Sequence, residues 1–211
     1  MSDAHLIAER GQELGVDVSV ALADRLSAYL RLLRLWNRRI NLTSVPIDPL
    51  SPDAIDRILL EPLAAAQWIR DSDRLLLDVG SGGGSPAIPL ILSSQRLRGV
   101  LVEVRTKKAA FLREVLRELE MSDTSVIADK LQNLSLIQVG APADVVTFRA
   151  VRVDDALVKA ARALSRSGTN WLVFGDVLSE PHQIPTGLQS VKRVENLLRT
   201  GRTGLTIASV S

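Results

Sequence analysis

The sequence predicts an α/β fold: a mostly parallel, doubly wound sheet, closed by an antiparallel edge at the C-terminus and preceded by a helical extension. Three observations predict it. From Arg74 onward, short apolar runs ("RLLLDV", "GVLVEV", "TSVIA", "ADVVTF", "NWLVF") alternate with helix-like stretches, as in successive βαβ units. Before Arg74 the apolar spacing is helical. After the fifth run, "GLQSVKRVENLL" and "GRTGLTIASV" read as two more β segments joined at a Gly-Arg turn, too close together for a crossover helix, so they should pair antiparallel at the sheet edge.

In the extension, Leu22, Leu26, Tyr29, Leu33, Trp36 and Ile40 recur in steps of four and three, the spacing of one helical face. Arg31, Arg34 and Arg38 fall on the opposite face with Arg39 beside them. That face reads either as ordinary solvated surface or as a phosphate-contacting one, because guanidinium forks match phosphate oxygens. Trp36 belongs with the core stripe, the alternative being stacking on an unpaired base. "NLTS" breaks the period, with Asn41 closing a local turn, and "VPIDPLSPD" is a proline-rich turn region. A second helix is expected over 53–69, bent near Pro62. The boundary this implies places a helical extension at 1–70 and the sheet-bearing core at 71–211.

Within the core, helices are expected over 86–94, 107–120, 131–139 and 154–164. Phe111, Leu112, Val115, Leu116 and Leu119 mark the buried side of the second of these. The chain has 211 residues, 26 Lys and Arg against 24 Asp and Glu, and no cysteine. That excludes disulfides, thiolate metal sites and a Cys nucleophile. His5 and His182 lie far apart in sequence, which argues against a His-based metal site or a Ser-His-Asp triad. The N-terminal segment carries no signal-like apolar core, and no apolar run is long enough to cross a bilayer, so a soluble, cytoplasmic protein is expected, without membrane or metal partners and monomeric.

The chemistry concentrates at "LLLDVGSGGGSPAIPL", where a strand-like run enters an Asp and a set of glycines. Glycines there permit positive φ and leave no Cβ in a ligand's way. In a doubly wound fold this loop lies at a strand's carboxyl end, where ligands bind. Glu103 ends the next strand about twenty residues on, the spacing at which a carboxylate can accept ribose hydroxyls. Dinucleotide binders favour G-x-G-x-x-G, but Ser85 stands where the third glycine would be. A nicotinamide-dependent oxidoreductase is therefore the weaker reading. Asp78, Gly80, Gly82 and Gly84 instead form D-x-G-x-G-x-G, which resembles the first motif of class I S-adenosylmethionine-dependent methyltransferases.

The blocks "LLRLWNRRINLTSV", "LLLDVGSGGGSPAIPL", "LVEVRTKKAAFLREVLREL" and "ADVVTFRAV" resemble, in order and spacing, the bacterial guanine-N7 methyltransferase G family of small-subunit ribosomal RNA, formerly glucose-inhibited division protein B. The similarity spans most of residues 20–209. W-N-x-x-x-N-L-T and the pair Pro86 and Pro89 carry it. The resemblance implies a Rossmann-like methyltransferase fold and methyl transfer from S-adenosyl-L-methionine to N7 of a guanine in 16S rRNA. It places cofactor contacts on Gly80, Ser85, Leu131, Gln132 and Arg149, beside Asp78 and Gly82 of the first motif, with Glu103 as ribose ligand.

Several positions depart from the family pattern. Arg57, Leu60 and Glu61 stand where it has His, Asp and Ser. Ser85 replaces a bulky apolar residue, and Leu131-Gln132 replaces Ala-Glu or Val-Glu. Lys130 replaces Arg, and Phe174 replaces Lys. These exchanges keep a second reading open, a non-catalytic or impaired RNA-binding or ribosome-associated relative. Arg149 and Lys130 are the candidates for contact with the target base or its phosphate; for Arg149 the alternative is a salt bridge at a strand end. Arg31, Arg34, Arg38, Arg39, Lys107 and Lys108 are the candidate RNA contacts, the lysine pair reading equally well as a solvated first helical turn.

Overall fold

In a computed structural model, residues 2–175, 188–195, 197–198 and 204–210 are described. Among these residues seven strands form one sheet: β1 (Leu75–Val79), β2 (Arg98–Val102), β3 (Ser125–Ile127), β4 (Ala143–Arg149), β5 (Ser165–Phe174), β6 (Leu188–Glu195) and β7 (Gly204–Val210). Their order is β3-β2-β1-β4-β5-β7-β6. The first five are mutually parallel, and β7 runs antiparallel to both β5 and β6. The antiparallel edge is therefore as expected; the Gly-Arg turn lies outside the described residues.

Every residue of β1 is buried, which explains its unbroken apolar run, yet the two-residue strand period still sorts its side chains. Leu76 packs into a core shared with the N-terminal helices, whereas Leu75, Leu77 and Val79 face a second core with Phe148, Leu157 and Trp171. Helices thus cover both faces, and the order reverses at β1, whose neighbours are β2 and β4. Such a reversal leaves a crevice at the strands' carboxyl ends.

Helices α1 (Asp3–Leu14) and α2 (Val20–Asn37) begin at Ser2 and Ser19, whose side chains accept from His5 N and Leu22 N. Gly15 ends α1 in the left-handed conformation. The buried arc of α2 is wider than its spacing predicts, taking in Leu30 and Leu32 beside Leu26, Tyr29 and Leu33. Trp36 packs on Phe111, their rings 5.8 Å apart, so it serves the core. Asn37, not Asn41, closes the following turn, its Oδ1 accepting from Leu42 N and Thr43 N.

The expected second helix is present but broken into α3 (Pro52–Ile55), a π-turn (Asp56–Leu60), α4 (Glu61–Ala65) and a 3₁₀ turn (Ala66–Trp68). The remaining helices among the described residues are α5 (Ala87–Leu92), α6 (Thr106–Glu118), α7 (Leu136–Val139) and α8 (Asp155–Ala163). The helix expected over 131–139 is split. Leu131–Asn133 is a 3₁₀ turn, and Ser135 opens α7 with a capping box that interrupts a continuous helix. No helix among the described residues is long and apolar enough to cross a membrane, and no cluster of three potential metal ligands occurs among them.

Candidate active site

The glycine loop folds back over the end of β2. Gly80 N and Ser81 N both donate to Val102 O, at 2.8 and 3.0 Å. Gly80, Gly82 and Gly84 all have positive φ, but they serve different ends. A Cβ on Gly80 would stand 2.6 Å from Val151 Cγ2, and one on Gly84 2.9 Å from Ile88 Cγ1, so those two glycines permit close packing. A Cβ on Gly82 would meet nothing nearer than 3.6 Å. Gly82 therefore has room for a Cβ only at ordinary contact distance from Gly80 O and Lys108 Nζ, and it lines the cavity at the strands' carboxyl ends. From α2, Tyr29 donates its hydroxyl to Gly83 O at 2.6 Å, tying the N-terminal helices to the loop.

Glu103, at the outlet of β2, is buried and accepts from Gly82 N and Arg105 N, each at 2.8 Å, through different carboxylate oxygens. A carboxylate offers about four lone-pair sites, so each oxygen keeps one for a ligand hydroxyl. Asp78 lies beneath the loop rather than in the cavity wall. Thr147 donates to its Oδ1 at 2.5 Å, while Oδ2 is buried with no partner among the described residues. Burial pushes the Asp78 carboxyl up to about 6, against the pull of its hydrogen bonds and of Arg149.

Across β1 from Glu103, Arg149 ends β4. Its Nη2 pairs with Glu61 Oε2 at 2.7 Å, its Nη1 donates to Arg57 O, and its guanidinium lies 4.8 Å over the Phe174 ring. Burial raises the Glu61 carboxyl above its usual range and lowers the Arg149 guanidinium below its own, each opposed by the attraction between them. The π-turn explains the carbonyl contact. Pro62 has no N–H, so it cannot close a bond to Ile58 O in an α-helix or to Arg57 O in a π-helix. Those carbonyls are met instead by Ser85 Oγ, at 2.8 Å from Ile58 O, and by Arg149. Proline therefore turns two carbonyls outward as anchors for the loop and for β4. Ala150 follows in the left-handed region, φ 54°, a strained conformation for a residue with a Cβ.

These elements enclose an open cavity of about 500 Å³ at the carboxyl ends of β1, β2 and β4. Of the residues singled out in the sequence, Arg57, Gly80, Gly82, Ser85, Glu103 and Arg149 line it. Lys108, expected to face RNA or solvent, lines it too and lies over Gly82. Lys130, Leu131 and Gln132 do not. They follow β3, which is separated from β1 by β2, and Lys130 and Gln132 are exposed while the Leu131 side chain enters the core. Arg34 is not on a free basic face. It pairs with Asp3 at 2.8 Å and donates to Ile47 O at 2.9 Å, because it sits one turn beyond buried Leu30. Arg31, Arg39 and Lys107 are exposed, and Arg38 pairs with Asp48 at the surface.

The wall also contains residues that the sequence spacing did not single out: Leu42 through Val45, Val104 and Arg105, and Ala150 with Val151. For the first group the sequence signal was the break in helical period at "NLTS"; the others lie inside the blocks "LVEVRTKKAAFLREVLREL" and "ADVVTFRAV" without having been singled out.

Comparison with solved structures gives a TM-score of 0.64 at 22% identity with cofactor-bound Rv0187 from MTB, covering 100% of this chain and 98% of that one. An O-methyltransferase from Bacillus cereus in complex with SAH gives 0.62 at 20% identity, covering 87% and 91%. At those identities the likeness concerns the fold, a Rossmann-like class I methyltransferase one. In sequence, ribosomal RNA small subunit methyltransferase G of Pseudomonas putida (strain GB-1) is 34% identical over 163 residues, 77% of this chain and 73% of that protein. The protein of the same name from Neisseria gonorrhoeae (strain NCCP11945) is 34% identical over 164 residues, 78% and 75%. The model of the rRNA small subunit methyltransferase G family matches residues 22–183, which stops short of the expected 209. With 77% of its length aligned to such a relative, and its glycine loop built over an open cavity, the chain belongs to the rRNA small subunit methyltransferase G family.

Proposed function

We propose that the cavity binds S-adenosyl-L-methionine and that the protein methylates N7 of a guanine in 16S rRNA, the small ribosomal subunit being its partner. The observation that carries this reading is the open cavity lined by Gly82 and bordered by a carboxylate with one free site on each oxygen. A nucleoside sugar would meet Glu103 on the β2 side. The remainder of the cofactor would pass over Gly80 and Gly82 toward β4, with Ser85 holding the loop's far end. Asp78 Oδ2, unpartnered beneath the loop, supplies negative potential under the cofactor's cationic portion. When bound, S-adenosyl-L-methionine supplies a methyl group already activated on sulfur.

Guanine N7 carries a free lone pair, so no residue has to remove a proton first. The cavity lining among the described residues, which has neither His nor Cys, suits that requirement. What the chain contributes is alignment, for which roughly 7–11 kcal/mol is attainable in a well-oriented site. Its rigid parts are Arg149 with its three contacts and the Pro62 turn. Exposed Arg31 and Arg39, with Arg38 and Lys107, are the proposed RNA-facing cations outside the cavity. Isothermal titration with S-adenosylmethionine and methyl incorporation into unmodified small subunits test the function. Binding without incorporation would favour the impaired, RNA-binding reading, and neither would end the methyltransferase reading.

A further inference from the structure

We infer that Arg57 is a substrate-contacting residue that holds an RNA phosphate at the rim of the cavity. The inference rests on the proposed reading of the cavity as a cofactor and RNA site. Arg57 is exposed, lines the cavity, and its guanidinium has no hydrogen bond or ion pair among the described residues. Its main chain, by contrast, is fixed. The carbonyl is held by Arg149, and the next residue's carbonyl by Ser85. A long side chain on an anchored turn is pre-organised for contact, which lowers the ordering cost of binding.

Charge decides the class of ligand. Arg57, Arg105, Lys108 and Arg149 line the cavity against one carboxylate, Glu103. Glu61 neutralises Arg149 from behind, which leaves Arg57, Arg105 and Lys108 against Glu103. A surplus of positive charge remains. S-adenosylmethionine cannot account for it, because its sulfonium and ammonium outweigh its single carboxylate. A polyanion can, and Arg presents the fork that matches phosphate oxygens. Position agrees: Glu103 takes the ribose on the β2 side of β1, while Arg57 is tied to the end of β4 on the other side. The incoming nucleotide approaches from that second side.

The test compares wild type, Arg57→Ala and Arg57→Lys for affinity toward unmodified small subunits across a salt series, with S-adenosylhomocysteine titrated into each. Arg57→Ala should weaken subunit binding about tenfold, as for one charge-assisted contact. The log–log salt slope should fall by about one. Arg57→Lys should restore the slope while recovering only part of the affinity, and affinity for S-adenosylhomocysteine should stay at the wild-type level in both. Unchanged subunit affinity and slope in Arg57→Ala would overturn the inference. So would a selective loss of S-adenosylhomocysteine binding, which would assign Arg57 to the cofactor's carboxylate. If the cofactor reading itself is wrong, wild type will show no S-adenosylhomocysteine binding, whereas failure of the Arg57 inference leaves that binding intact.

Discussion

Glu103 Oε2 accepts the Gly82 amide at 2.8 Å, so the acid at the end of β2 is part of the glycine loop and not a separate arm reaching toward it. Glu103→Gln should therefore harm the loop as well as the ligand contact. A glutamine places an NH₂ where a second backbone N–H now donates, and two donors repel. We expect affinity for S-adenosylmethionine to fall about 10- to 100-fold, the range for a charge-assisted hydrogen bond, with a lower melting temperature for the free protein. Calorimetry and a thermal melt read the two effects. Unchanged melting with unchanged affinity would show that the carboxylate charge matters to neither.

Tyr29 carries the same logic to the N-terminal helices. Tyr29→Phe keeps the buried ring but leaves Gly83 O without its donor. The expected loss is about 1 kcal/mol of stability, accompanied by weaker cofactor binding because the loop is less firmly held. Urea denaturation measures the first and titration the second. A variant as stable as wild type would mean that water replaces the hydroxyl at no cost.

Arg34→Ala separates structure from RNA recognition. Its pair with Asp3 and its bond to Ile47 O hold α2 against α1 and the following loop. Stability should drop by about 1–2 kcal/mol while the salt slope of subunit binding stays as in wild type. Replacing exposed Arg31 and Arg39 with Ala should do the reverse, lowering the slope and sparing stability. A slope change in Arg34→Ala alone would return that residue to the RNA face.

Asp78 gives a pH signature. Its carboxyl titrates near 6 in the folded protein against 3.8 when free. Below about pH 4 both states are protonated and the group costs nothing. Between about 4 and 6 the unfolded chain loses the proton first, so stability falls as pH rises, by about 3 kcal/mol in all. Above 6 the penalty is constant. Asp78→Asn should abolish this slope, so its stability relative to wild type should grow from pH 4 to pH 6 in denaturant titrations. A flat difference would show that the carboxylate is ionised at no cost.

The sheet was legible because each buried strand appears as an apolar run, and the turn from helical to strand period falls close to the start of β1 at Leu75. The loop and its acid were legible because glycine and carboxylate are rare in such company. What escaped was set by contacts distant in sequence. Arg34 reads as surface until α1 supplies Asp3. Arg57 and Ser85 read as unrelated until Pro62 exposes the two carbonyls that link them to the cavity wall. Lys130 and Gln132 follow β3, beside β2, and lie outside the cavity lining, which strand order and burial show and sequence spacing does not. Two departures from the family pattern, Glu61 and Phe174, enclose the same guanidinium, so they act as one local exchange around Arg149.

Calorimetric titration of S-adenosylhomocysteine into wild type and into Gly82→Val tests the central claim most directly, since residue 82 lines the cavity, a Cβ there meets only ordinary contacts, and its φ of 50° is the strain any Cβ must bear. The account predicts saturable one-to-one binding to wild type and none to a folded Gly82→Val protein, whose stability should be lower by about 1–2 kcal/mol. Equal binding by both, or none by wild type, would contradict it.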